Sequence, residues 1–370
     1  MSIATNWWPI WKRAEVNIRD YITTTDTTFQ FRVRACDSEA DTADPTKGVV
    51  IYSGIASGAP NSNAVIVSIN DIVADYLSAP FNIDGSRWVA QPQLGGWFAL
   101  DAWNEPDGYF WDKMGAWYFV MDYSYDRDFD LAAMPLAHPV TGVVAPNQWL
   151  VVSFVDVGGQ EEVEWILTFN DGTQSNISQP LARYADFNND FNNDFAVDEG
   201  EAAVSGYAGL YLGNYPNLVR LDAACGSILS PTYSVRQDTC KRYALYYRNA
   251  YGGYDSLLLD GAKRAENYSR ATIGRWADNS VAGQREVFDY RNDIEEAWTM
   301  RIGGLTDAQA ERMPQVIGST DAYLCDLNTD TLIPLNLTDA ACEVKTYRNQ
   351  GGKRIDYQIT AKRAQKRERR

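Results

Sequence analysis

The segment from Cys240 to Gly261 constrains the fold more than any other. Two apolar runs flank a Gly-Gly turn. Tyr243, Leu245 and Tyr247 alternate with Ala244, Tyr246 and Arg248, the period of a strand, and Tyr254, Ser256 and Leu258 alternate with Asp255, Leu257 and Leu259. Asn249–Gly253 supplies residues that accept positive φ, so the chain can reverse there. Asp260-Gly261 then ends the second run. The hairpin holds no histidine, no nucleophile paired with a base and no phosphate cradle. It reads as scaffold and surface.

Further strands follow the same period. Phe29–Arg34 alternates cleanly, and Glu15–Tyr21, Val49–Gly54 and Ala64–Ile69 are shorter strands. Asn70 reads as an N-cap for a short helix whose face is Ile72, Val73, Tyr76 and Leu77. Trp149–Val157 and Glu162–Phe169 are strands, the latter ending at an Asn170-Asp-Gly172 turn. Tyr207–Leu212 and Leu218–Leu221 follow. Near the end, Thr306 and Gln309 form a capping box ahead of Pro314, which should end or kink that helix. Residues 322–326, 332–337, 342–347 and 355–359 read as strands. The expected fold is mainly β: two β-sandwich-like domains, residues 1–135 and 136–262, the second with the hairpin, followed by a smaller α+β domain, 263–370. Pro135–Pro146, with the lone His138, is the first junction.

An Asp/Asn-rich loop spans residues 186–201. A register from Asp190 places Asp190, Asn192, Asp194, Asp198 and Glu201 at the oxygen-ligand positions of a calcium loop. Phe195 stands where that loop needs glycine for its sharp turn. The two readings are a calcium site and an acidic exposed loop ordered by a partner. No other cofactor is indicated. Aromatics alternate with carboxylates over 101–130, around Trp111, Trp117, Asp126, Asp128 and Asp130, a composition shared by glycan-binding clefts and by strands with solvated loops.

The chain of 370 residues carries a net charge of −16, against general nucleic-acid binding, which needs a basic face. Its last ten residues sum to +5, which leaves −21 on the first 360. Lys366, Arg367, Arg369 and Arg370 of this tail, and Trp7, Trp8 and Trp11 at the other end, are candidate interface residues. The plainer readings are a frayed tail and an aromatic plug on the first domain. The five cysteines form no CxxC pair, so a zinc site is not expected. Cys225 with Cys240 and Cys325 with Cys342 could bridge, but reduced thiols packed as small apolar groups fit a cytosol-made chain. Neither a signal peptide nor a membrane helix is expected, because no apolar run is long enough.

The C-terminal third, with Trp298, Gly-Gly-Leu-Thr-Asp at 303–307, Glu-Arg-Met at 311–313 and Glu-Val-Lys-Thr-Tyr at 343–347, resembles virion proteins of phages and prophages of Bacteroidales-type gut bacteria. The 243–255 hairpin and Ile69–Val73 resemble the same group, from whose pattern Gly303 and Pro314 depart. The resemblance implies a non-enzymatic tail component, such as a ring, adaptor, distal-tail or baseplate protein. Its partners would be copies of itself and adjoining tail proteins, its location the virion. The alternative is a glycan-binding receptor-recognition module of the same particle.

Overall fold

The computed structural model describes residues 7–9, 14–20, 28–36, 40–58, 64–77, 83–84, 87–88, 95–103, 112–120, 137–155, 162–180, 205–237, 243–274, 287–339, 342, 355–364 and 367–368. The fold is mainly β, as the alternation predicts.

The first domain contains β1 (Trp7–Pro9), β2 (Glu15–Asn17), β3 (Thr28–Cys36), β4 (Val49–Ser57), β5 (Ile66–Ser68), α1 (Asn70–Leu77), β6 (Ile83–Asp84), β7 (Arg87–Trp88), β8 (Gly95–Trp103) and β9 (Asp112–Val120). Five strands form one sheet in the order β1-β9-β8-β3-β4. Phe29, Phe31 and Val33 of β3 alternate inward with Phe98, Leu100 and Ala102 of β8. The β2–β5 ribbon and α1 cover that face through Val16, Val67, Val73 and Leu77. Asn70 begins the helix, but its Oδ1 accepts from the Ala14 backbone N–H at 2.7 Å, so it ties the helix to the preceding ribbon. On the sheet's other face Arg34 pairs with Asp101 through Nε at 2.6 Å and Nη2 at 3.0 Å, both residues fully buried. Arg34 also donates to the carbonyls of Thr42 and Asp44, which fastens the 40–47 loop over the sheet.

The second domain contains β10 (Val143–Val144), β11 (Trp149–Val155), β12 (Glu162–Phe169), β13 (Gln174–Pro180), β14 (Ser205–Tyr211), β15 (Leu218–Cys225), β16 (Ile228–Leu229) and β17 (Tyr233–Val235). A six-stranded sheet runs β10-β17-β15-β12-β13, with β16 beside β15, and a β11–β14 pair packs against it. Leu150, Val152 and Phe154 of β11 meet Trp165 and Leu167 of β12 and Leu221 and Ala223 of β15 in one core. This is a sandwich. The β12–β13 turn falls at Asn170–Gly172, where Gly172 takes φ +83°.

The third unit holds β18 (Tyr243–Arg248), β19 (Tyr254–Leu258), β20 (Gly261–Gly274), β21 (Val287–Leu305), α2 (Asp307–Ala310), α3 (Met313–Ile317), β22 (Ala322–Asp326), β23 (Thr331–Leu337), β24 (Ile355–Arg363) and β25 (Arg367–Glu368). The sheet order is β19-β18-β22-β23-β24-β21-β20. Its two end strands, β19 and β20, are joined by Leu259 and Asp260 alone, and the Asp260 N–H bonds the Arg301 carbonyl of β21 at 2.8 Å. One bent strand therefore links both edges, and the sheet curls into a barrel-like roll. Leu245, Leu257, Met300, Ile302, Leu324, Leu335 and Ile359 fill the inside from six strands. The capping box at Thr306 and Gln309 forms, and Ala310, Met313 and Val316 of the two helices plug one end of the roll. Pro314 opens α3 instead of closing a single helix.

This arrangement differs from the expected division in one respect. The 243–258 hairpin pairs through β18 with β22, so it belongs to the third sheet and not to the domain ending at 262. The reason is that β18 has two apolar faces and cannot be an edge strand. Among the described residues, the C-terminal unit is accordingly built on the largest sheet, with two short helices. Cys225 and Cys325 are free thiols, so neither the Cys225–Cys240 nor the Cys325–Cys342 bridge forms, and burial raises Cys225 to about 11 and Cys325 to about 12. Cys240 and most of the expected 342–347 strand lie outside the described residues.

Asp101→Ala should cost the first domain about 3–5 kcal/mol, because it strands a buried guanidinium. Hydrogen exchange at β3 and β8 amides reads this loss for that domain alone.

Candidate assembly surface

The longest strand pair among the described residues is the β20–β21 ribbon. β20 has 14 residues and β21 has 19, paired from Gly261↔Arg301 to Gly274↔Val287. At about 3.3 Å per residue, β21 alone spans about 60 Å. Only its C-terminal part, Ala297–Leu305, is flanked by β24. Among the described residues, the Val287–Asn292 stretch has β20 as its single partner, and Lys263–Ser269 of β20 is exposed throughout. The ribbon thus runs past the roll that anchors it. A two-stranded ribbon in water is marginal by itself and gains from a surface to lie on.

A second open feature is β4, the outer strand of the first sheet. Its residues Val49–Ser57 include no charge and no proline, the usual guards of an exposed edge. Among the described residues, six of the eight exposed large apolar side chains cluster on β4, β5 and α1, with Ile55 at 68% and Ile66 at 60% exposure. Such a patch suits contact with another protein.

Three of the expected interface residues, Trp7, Trp8 and Arg367, are among the described residues. Trp7 and Trp8 lie in β1, which pairs in parallel with β9 of their own domain, as Trp7↔Tyr118 and Trp8↔Phe119. Arg367 lies in β25, which adds a short third strand at the ribbon, with Arg367 opposite Ile294. Trp11, Lys366, Arg369 and Arg370 lie outside the described residues. So do Asp190, Asn192, Asp194, Asp198 and Glu201 of the calcium register, and Trp111, Asp126, Asp128 and Asp130 of the aromatic-acidic stretch. Trp117 is 9% exposed in the first domain's core, so it offers no platform to a glycan. Among the described residues, no group of three or more His, Cys, Asp or Glu could hold a metal, and no helix is long and apolar enough to cross a membrane.

The second and third units are bound at a seam. Ala145 and Val151 pack on Ala244, Tyr246, Tyr254, Leu258 and Cys325, the outer face of the roll. Gln148 Nε2 donates to Ser256 Oγ at 2.7 Å, and Tyr246 Oη donates to the Trp149 carbonyl at 2.6 Å. His138 is structural here: its N–H donates to Asp255 Oδ2 at 2.9 Å, its carbonyl accepts from Gln315, and its ring meets Tyr251 at 4.8 Å. Asp255 is fully buried and also accepts from Asn249 Nδ2 at 2.8 Å. Its Oδ1 has no hydrogen-bond partner among the described residues. Burial raises this carboxyl to about 7, against the smaller opposing pull of Asn249, His138 N–H and Arg312. Tyr233 and Tyr247 face it, and burial raises both phenols well above their ordinary range. Sequence reasoning passed over Asp255. An acid inside the run Tyr254–Leu258 reads as the solvent face, yet every residue of that run is buried.

No family model and no curated protein sequence matches the chain. Among solved structures, a tetra-tandem repeat in the extending region of a large adhesion protein aligns at 10% identity, over 91% of this chain and 81% of that one, with a TM-score of 0.18. At that score the alignment carries no argument about fold or role.

The seam should weaken as pH rises. An unfolded aspartate titrates near 3.9, so between about 4 and about 7 the folded chain keeps a proton that the unfolded chain has lost. Stability from this group is full below about 4, falls up to about 7 and stays lowered above. Asp255→Asn should match the parent's thermal stability at pH 4 and exceed it at pH 8. The gain is at most about 4 kcal/mol, at 1.36 kcal/mol per pKa unit. Thermal melts at the two pH values check this.

Proposed function

We propose that this protein is a non-enzymatic structural subunit of a bacteriophage tail or baseplate, held in a symmetric ring by copies of itself and by adjoining tail proteins. The observation that carries the reading is the β20–β21 ribbon, which extends beyond the sheet that anchors it, with Lys263–Ser269 of β20 exposed throughout. A ribbon reaching from one subunit onto the next makes a heterologous contact, and repeated heterologous contacts close into rings. The uncharged β4 edge supplies a second surface of the same kind, at which two acidic subunits can approach without facing like charges. The resemblance of the 243–255 hairpin and of the 298–347 pattern to phage virion proteins supports the tail assignment.

Native mass spectrometry of the full chain at micromolar concentration should give a closed oligomer. Replacing residues 270–292 by a short turn should give a folded monomer with the same melting behaviour of the roll. A full chain that stays monomeric, or an oligomer indifferent to the ribbon, would overturn the proposal. The tail assignment is read separately: purified phage particles should contain the protein in multiple copies.

A further inference from the structure

The roll of the third unit has two ends. Helices α2 and α3 plug one; the other opens into a cavity of about 370 Å³. Strand directions place it there: Tyr243 begins β18, Asp326 ends β22, Thr331 begins β23 and Arg363 ends β24, all far from the helices. Mouths of β-barrels are common ligand sites, and this volume lies at the low end of the range of about 300–1,000 Å³ that holds small molecules.

The walls combine three kinds of group. Tyr243 and Trp298 meet edge to face, with ring centroids 6.1 Å apart, and Tyr243 stays half-buried. Glu296, 3% exposed, sits between two guanidiniums, with Arg264 Nη2 at 2.8 Å and Arg363 Nη1 at 3.2 Å. The Thr329 and Thr331 hydroxyls bond each other at 2.9 Å on the rim strand. Two donors are left over. Trp298 Nε1 and Arg363 Nε are buried and have no hydrogen-bond partner among the described residues. A buried donor without an acceptor is a cost that folded chains rarely carry unless something else uses it.

The charges at the mouth lean acidic, with Arg264 and Arg363 set against Glu266 and Glu296, and with the buried Asp326 on the same wall. Arg264 also pairs with Glu266, so each guanidinium already faces a carboxylate. Among the described residues, an anionic ligand therefore finds no unopposed guanidinium, and the carboxyl of Asp326 opposes it further. A neutral ligand with several hydroxyls finds N–H donors, carboxylate and threonine oxygens, and an aromatic ring for its C–H face. We propose that the open end of the roll is a binding site for a neutral sugar of one or two residues, seated on Tyr243. The site lies within one chain and does not depend on assembly, so it stands or falls apart from the ring.

The test is saturation-transfer NMR on the full chain with the methyl glycosides of glucose, galactose, N-acetylglucosamine and rhamnose. At least one should give transfer that saturates at millimolar concentration. Tyr243→Ala should weaken it tenfold or more, and Tyr243→Phe should retain it, with circular dichroism melts confirming that both variants fold. Glucuronic acid should bind at least tenfold more weakly than the best neutral sugar. No transfer from any of the four, transfer unaffected by Tyr243→Ala, or equal binding of the anionic sugar would overturn the assignment.

Discussion

The burial of β18 on both faces is the constraint on which the C-terminal two-thirds of the molecule depends. Leu245 and Tyr247 point into the roll, while Ala244 and Tyr246 point into the seam with the second domain. A strand with two apolar faces must sit between two layers. The roll supplies one layer and the segment from 137 to 151 supplies the other. Buried polar groups then have to be satisfied across the seam. Gln148 and Ser256, His138 N–H and Asp255, and Tyr246 and the Trp149 carbonyl do so in cis. These bonds specify one docking of the two units where apolar contact alone would leave several.

The first domain solves a similar problem with charge. Arg34 on β3 is fully buried, and its guanidinium spreads its donors over Asp101 and the carbonyls of the 40–47 loop. That loop is short of apolar residues and would not cover a sheet by hydrophobic contact. The guanidinium fastens it through its planar fork, which a lysine could not reproduce. Among the described residues, the same sheet leaves β4 unpaired at its outer edge, with Val49, Val50, Tyr52 and Ile55 exposed there.

The ribbon and the rim belong to one physical picture. Both are β structure with edges that, among the described residues, no further strand pairs. The open end of the roll is a different kind of surface, a concave one in which both guanidiniums are paired with carboxylates.

Much of the β architecture was legible in the residues. The alternation of β3 and β12, the Asn170-Asp-Gly172 turn and the capping box at Thr306 are local signals with local causes, and each is found where its residues predict. The ribbon was not legible. Residues 262–272 mix Lys, Arg, Glu and Asn with small side chains and show no apolar face, so only pairing with β21 makes them a strand. Nor was the seam: Asp255 and His138 carry no local mark of meeting across 117 positions. The sequence by itself determined where strands, turns and caps form, because those depend on neighbours a few residues away. Only the tertiary structure decided which sheet the central hairpin joins, that the sheet curls on itself, and what lies at its open end. Those depend on which apolar faces and buried polar atoms find each other across the chain.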